Sequence, residues 1–166
     1  EDGRIVELGA GARPAGPVDE VFDGSRHVVI PGLVNAHHHF YQTLTRAHPQ
    51  AINKELFPWL QTLYPLWGSH LNRDTFRIGV RLALVELLMS GCTTASDHLF
   101  VFGRDMADAV DIEAEEARAL GMRVALTRGA INMGTSSGGI ADERLIQDYD
   151  AVLSDCERVL GAYHDR

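Results

Sequence analysis

Three successive histidines, His37, His38 and His39, close a short and mostly apolar run, Gly32-Leu33-Val34-Asn35-Ala36. On an extended strand, residues two apart point to the same face, so His37 and His39 project together while His38 points away. Imidazole is a good ligand for zinc or iron, and two rings side by side at a strand tip can grip one divalent cation from the same direction. A catalytic metal needs three or so protein ligands and an open position for water. A solvated histidine-rich loop carries the same short pattern, H-x-H, which by itself is common. The position of the pair, directly after an apolar strand opened by Pro31-Gly32, favours the ligand reading.

The elements that must carry these rings follow a simple order. A loop rich in aromatic residues and prolines comes after the histidines. Asn72 then caps a long helix to about Ser90, with Phe76, Val80, Ala83, Leu84, Leu87 and Leu88 at helical spacing and Gly91 as its stop. Cys92–Asp97 is a short β-type run. A second helix is expected over Asp105–Leu120, stopped by Gly121, and a third β-type run over Arg123–Arg128. After a Gly/Ser loop, Gly134–Gly139, a last helix is expected over Glu143–Tyr163. Alternating strands and helices of this kind make a parallel sheet with crossover helices. The pattern alone leaves an open doubly wound sheet and part of a (β/α)8 barrel both standing. The histidines select the barrel, because its active-site face is formed by the carboxyl ends of the strands. Ahead of Pro31, the pieces Arg4–Leu8, Val21-Phe22 and His27–Ile30 read as short strands broken by turns, one of them at Asp23-Gly24.

Composition narrows the function. The 166 residues have room for one domain of ordinary size. A formal charge of −8 argues against nucleic acid as partner, because phosphates are repelled rather than neutralised. No stretch approaches the roughly 18 uninterrupted apolar residues of a membrane span, and the acidic start is unlike a signal peptide. With two cysteines, Cys92 and Cys156, far apart, neither a disulfide framework nor a cysteine zinc site is expected. A cytoplasmic protein is the expectation. No glycine-rich phosphate fingerprint follows any strand.

The segment PGLVNAHHHFYQTLTRA resembles the first-strand motif of the amidohydrolase superfamily, deaminase type. In that family a Pro-Gly turn leads from a small β-sandwich into strand one and its H-x-H. Together with FPWLQTLYPLW, SGCTTASDH and RVALTRGAIN, the chain is similar to bacterial deaminases of 8-oxoguanine, with hydroxyatrazine aminohydrolases and guanine deaminases as near relatives. The resemblance implies an α/β fold made of the first three βα units of a (β/α)8 TIM barrel, residues 31–166, preceded by the remnant of a β-sandwich, residues 1–30. It implies one divalent metal, zinc or iron, with His37 and His39 as two of its ligands. The remaining ligands and the general acid and base groups belong, by resemblance, to later strands. The chain is therefore expected to be an N-terminal fragment, inactive alone, of an enzyme that leaves room for homo-oligomers.

Other residues are candidates for the substrate. Gln42, three residues past His39, has an amide that donates and accepts at once, which suits the edge of a purine or triazine. The resemblance assigns it base reading, against the plain alternative of a loop glutamine in water. Arg128, ending the third β-run on the face of Val124 and Leu126, is either a ligand for a substrate carbonyl or half of an ion pair with Asp97. Trp59 is either helix core or a wall of the base pocket. His98 either lines the pocket or makes local hydrogen bonds. The expected activity is hydrolytic deamination of an amino-bearing heteroaromatic ring such as 8-oxoguanine, with release of ammonia. A triazine aminohydrolase is the rival within this class, and a non-catalytic α/β binding module the rival outside it.

Overall fold

The computed structural model describes residues 4–164, and the chain divides into two units, Glu1–Pro31 and Gly32–Arg166. In the first, the turn expected near Asp23-Gly24 forms. The His27 amide donates to the Gly24 carbonyl at 2.9 Å, and the Ser25 amide to the Asp23 carboxylate. The three strand pieces expected there do not form ladders. Among the described residues 4–31 no strand is paired, and Ile5, Leu8, Val21, Val28 and Val29 stay exposed. A β-run without a neighbouring strand has no partner for its backbone groups, so pattern alone does not make it a strand.

The second unit holds the parallel sheet. Its strands are β1 (Leu33–His38), β2 (Cys92–Leu99) and β3 (Arg123–Arg128), in the order β1-β2-β3, all parallel. Four helices accompany them: α1 (Leu56–His70), α2 (Arg73–Met89), α3 (Ala109–Leu120) and α4 (Tyr149–Tyr163). Register sets His38 opposite Asp97 and Leu99 opposite Arg128, so the carboxyl ends of all three strands share one edge.

Local chemistry explains the boundaries. Asn72 accepts from the amides of Asp74 and Thr75 while Thr75 Oγ1 accepts from the Asn72 amide, a reciprocal cap that starts α2 where expected. Gly91 and Gly121, at φ +84° and +71°, take the left-handed conformation that ends α2 and α3. Two helices start later than the apolar spacing suggests. Asp105 has φ +57° and belongs to the preceding turn, so α3 begins at Ala109. Residues Glu143–Leu145 form a separate 3-10 turn, and Asp148 caps α4 by accepting from the Ala151 amide at 3.0 Å. The segment expected as an aromatic and proline-rich loop is largely helix α1. Pro58 falls in its first turn, where its missing N–H costs nothing, and Trp59, Leu63 and Trp67 share a face at four-residue spacing.

The core lies between the sheet and the helices, with Phe76, Val80 and Leu84 of α2 buried along with Ala95 and Leu99 of β2. Helices α2 and α3 are clamped by Glu116, which is buried and accepts from Arg77 Nη1 and Arg81 Nε, both at 2.6 Å. Among the described residues no helix is long and apolar enough to cross a membrane.

Removing the clamp with Glu116→Ala is expected to cost about 2 kcal/mol of stability at neutral pH, read by urea unfolding. Hydrogen bonds from Arg81 and Arg77 hold this carboxyl below its ordinary value of 4.5. Its contribution is therefore complete above that pH and is lost as pH falls through the lower folded-state value, so the gap between wild type and variant closes in acid.

Candidate metal centre

Strand β1 delivers His37 and His39 to the shared edge with their rings together. The centroids are 4.9 Å apart and the planes perpendicular. His38 turns the other way, onto Phe40 at 5.1 Å, with its Nδ1 buried and unpaired. The alternation that an extended strand requires is thus realised, although β1 ends at His38 and His39 starts the 3-10 turn Phe40–Thr45.

His39 is held from the neighbouring strand. Its Nδ1 lies 2.8 Å from the His98 carbonyl oxygen. A carbonyl only accepts, so Nδ1 carries the proton and Nε2 keeps its lone pair free for a metal. Burial lowers the His39 pKa from its ordinary value; the bond to the His98 carbonyl opposes this, and the neighbouring His37 and His98 rings add to the lowering. A neutral imidazole with a fixed tautomer is the form that binds a cation. The His98 ring itself stands 5.5 Å from His37 and 5.9 Å from His39. Among the described residues no three histidine, cysteine or carboxylate side chains are gathered closely enough to hold an ion by themselves. The donor set fits a metal as a pair of imidazoles that needs further ligands.

An aromatic series leads away from the pair. Tyr41 lies 5.9 Å from His39 and 5.2 Å from Trp67, and Trp67 lies 5.8 Å from Trp59. Phe100 approaches His39 at 5.4 Å and Tyr41 at 5.8 Å. Burial pushes the Tyr41 phenol far above its usual range, so it stays protonated. Its oxygen accepts from Gln42 Nε2 at 3.1 Å, which fixes the half-buried Gln42 beside this group. The structure therefore connects His37, His39, His98, Gln42 and, through Trp67 and Tyr41, Trp59. Tyr41 and Phe100 were not singled out by sequence. The signal available was their position, Tyr41 two residues past His39 and Phe100 two past His98.

Arg128 is placed elsewhere. It shares a face with Val124 and Leu126 as expected, but that face lines a cavity with Val110 and Ala117 of α3 and Val159 and Leu160 of α4. Its Nε donates to Asp155 at 2.8 Å, its Nη1 to Gln147 Oε1 at 3.0 Å, and its guanidinium stacks over Phe102 at 4.2 Å. The ion-pair alternative holds with a different partner: Asp155 and not Asp97. The arrival of α4 brings Asp155 to Arg128, and that is not written in the residues around Arg128.

The paired imidazoles lie at the carboxyl end of β1, on the edge that all three parallel strands share. The chain belongs to the amidohydrolase family, whose model matches residues 28–163. It is 51% identical to the 8-oxoguanine deaminase of Pseudomonas aeruginosa, covering 100% of this chain and 37% of that protein. It is 30% identical to the hydroxydechloroatrazine ethylaminohydrolase of Pseudomonas sp. strain ADP, over 99% of this chain and 36% of that one. Among solved structures, the atrazine chlorohydrolase of Arthrobacter aurescens TC1 complexed with zinc superposes with a TM-score of 0.69 at 32% identity, covering 81% of this chain and 31% of that chain. The chain thus spans about a third of the length of these relatives.

If Arg128 is a structural anchor, Arg128→Met lowers unfolding stability by about 2 kcal/mol, moderated because Asp155 keeps Arg158 as a partner. Chemical denaturation checks this. A variant that is as stable as wild type but needs more substrate for half-maximal rate points instead to substrate binding.

Proposed function

We propose that this chain is part of a metal-dependent hydrolytic deaminase of amino-bearing heteroaromatic rings, with 8-oxoguanine or a related purine as substrate. The observation that carries the reading is the His37–His39 pair, whose rings lie 4.9 Å apart with the His39 tautomer set for coordination. The likeness to the Pseudomonas aeruginosa deaminase along the whole chain supports the choice of substrate.

In this reading His37 and His39 hold one divalent metal, zinc before iron, because a solved relative contains zinc. When bound, the metal supplies a water that is nucleophilic near neutral pH. The residues of this chain do the rest of the work on their side of the pocket. Gln42, tied to Tyr41, offers a donor and an acceptor to the ring edge. Tyr41, Phe100 and Trp67 form an apolar wall that limits water around the reacting ring, and Trp59 extends it. Arg128 is engaged with Asp155 and is given no role at the ring in this reading. Remaining ligands and proton-transfer groups come from other elements of the whole protein, whose relatives are nearly three times as long.

Residues 31–166 are read as the first three βα units of a (β/α)8 barrel, and residues 1–30 as part of a small β-sandwich. Likeness of fold to the zinc-containing hydrolase supports the barrel. Two free cysteines suit the cytoplasm, and the charge of −8 suits a small heterocycle better than nucleic acid. A triazine ring is the second substrate reading, favoured by the hydroxydechloroatrazine relative.

The test is to give the full-length enzyme 8-oxoguanine, guanine and hydroxyatrazine and to record ammonia release. The expected order puts 8-oxoguanine first, with His37→Ala and His39→Ala each reducing the rate by more than about a hundredfold and lowering bound metal. Indifference to all three rings would discard the deaminase reading.

A further inference from the structure

Two buried carboxyl groups behind the histidines have no part in the site described so far. Asp97, near the end of β2, and Glu113, in α3, are both 0% exposed. We propose that Asp97 and Glu113 form a hydrogen-bonded carboxyl pair that positions His39 for metal binding. This inference rests on the metal-site reading above.

The geometry runs through two adjacent residues of β2. Asp97 Oδ1 accepts from the backbone N–H of Phe40 at 2.5 Å, which pins the chain immediately after His39. The carbonyl of the next residue, His98, accepts from His39 Nδ1 at 2.8 Å and sets the ring tautomer. The backbone and the ring of His39 are therefore both anchored to Asp97-His98. Any drift of the Asp97 carboxyl moves the start of the 3-10 turn and, with it, the direction of the His39 lone pair.

Asp97 is fixed in turn by Glu113. The second oxygen, Asp97 Oδ2, and both oxygens of Glu113 are buried and have no ordinary donor. The two side chains face each other at hydrogen-bonding range. Two bare carboxylates in an apolar interior are too costly to coexist, whereas one proton between them satisfies both. Burial, then the charge of Asp97, pushes Glu113 well above the usual carboxylate range, and burial pushes Asp97 up to about 6. Well-packed apolar residues in place of such a pair are commonly neutral or stabilising, so stability alone does not account for two acids here. Their use is directional: an acid pair holds the Phe40 amide at one point, and a hydrocarbon contact does not.

The experiment uses the full-length protein and the variants Asp97→Ala, Asp97→Asn, Glu113→Gln and Glu113→Ala. Nitrogen NMR of the metal-free protein reads the His39 tautomer, and chelator competition reads zinc affinity. In Asp97→Ala, His39 is expected to lose its single Nδ1–H tautomer and zinc affinity to fall about 10- to 100-fold, the range of outer-shell ligands. Asp97→Asn keeps an acceptor for Phe40 and a donor for Glu113, and restores both readouts. Glu113→Gln keeps a donor to Asp97 and restores them, where Glu113→Ala does not. An unchanged tautomer and zinc affinity in Asp97→Ala overturns the proposal, as does failure of both Asn and Gln to restore them. A measurement independent of the alanine variants is infrared spectroscopy at neutral pH. The carbonyl band of a protonated buried acid is expected in wild type and reduced in Glu113→Gln; its absence from wild type overturns the pair. If wild type binds no zinc while the tautomer still follows Asp97, the positioning stands and the metal reading is the one that fails.

Discussion

Parallel pairing between β1 and β2 is the constraint on which the rest depends. Because the two strands run the same way, their carboxyl ends meet at one edge, and the backbone of β2 reaches the side chains that leave β1. The bond from His39 Nδ1 to the His98 carbonyl is the direct consequence. It converts a flexible imidazole at a strand tip into a ring of known tautomer whose other nitrogen is free. An antiparallel neighbour would bring a strand's amino end to this place, and the same residues would not gather.

Around that contact, the helices act as clamps. Glu116 ties α3 to α2 through two arginines, and Arg128 ties β3 to α4 through Asp155. These ion pairs sit on the helix side of the sheet, away from the imidazole pair, and they leave the strand edge to be shaped by short contacts. The aromatic series from Trp59 to Tyr41 does the shaping there, and the Tyr41 phenol and the Gln42 amide bring polar groups to it.

Much of this was legible in the residues. The limits of α2 could be read because Asn72 and Gly91 have backbone preferences that act locally, and the same holds for Gly121 after α3. The common orientation of His37 and His39 followed from the two-residue period of a strand. Failures came where distant groups decide the outcome. The ion-pair partner of Arg128 is Asp155, 27 residues away. The helix at Leu56–His70 was masked by its prolines, which are tolerated because one lies in the first turn and the apolar face packs. The short apolar pieces before Pro31 looked like strands, but pairing needs a partner strand and not only a pattern.

Whether His37 and His39 ligate a metal together is tested most directly by anomalous X-ray scattering at the zinc edge from crystals of the zinc-loaded full-length protein. A single strong peak is expected about 2.0–2.1 Å from a ring nitrogen of both His37 and His39, on the Nε2 side of His39. A peak that touches neither ring, or one that requires Nδ1 of His39 to leave the His98 carbonyl, would contradict it.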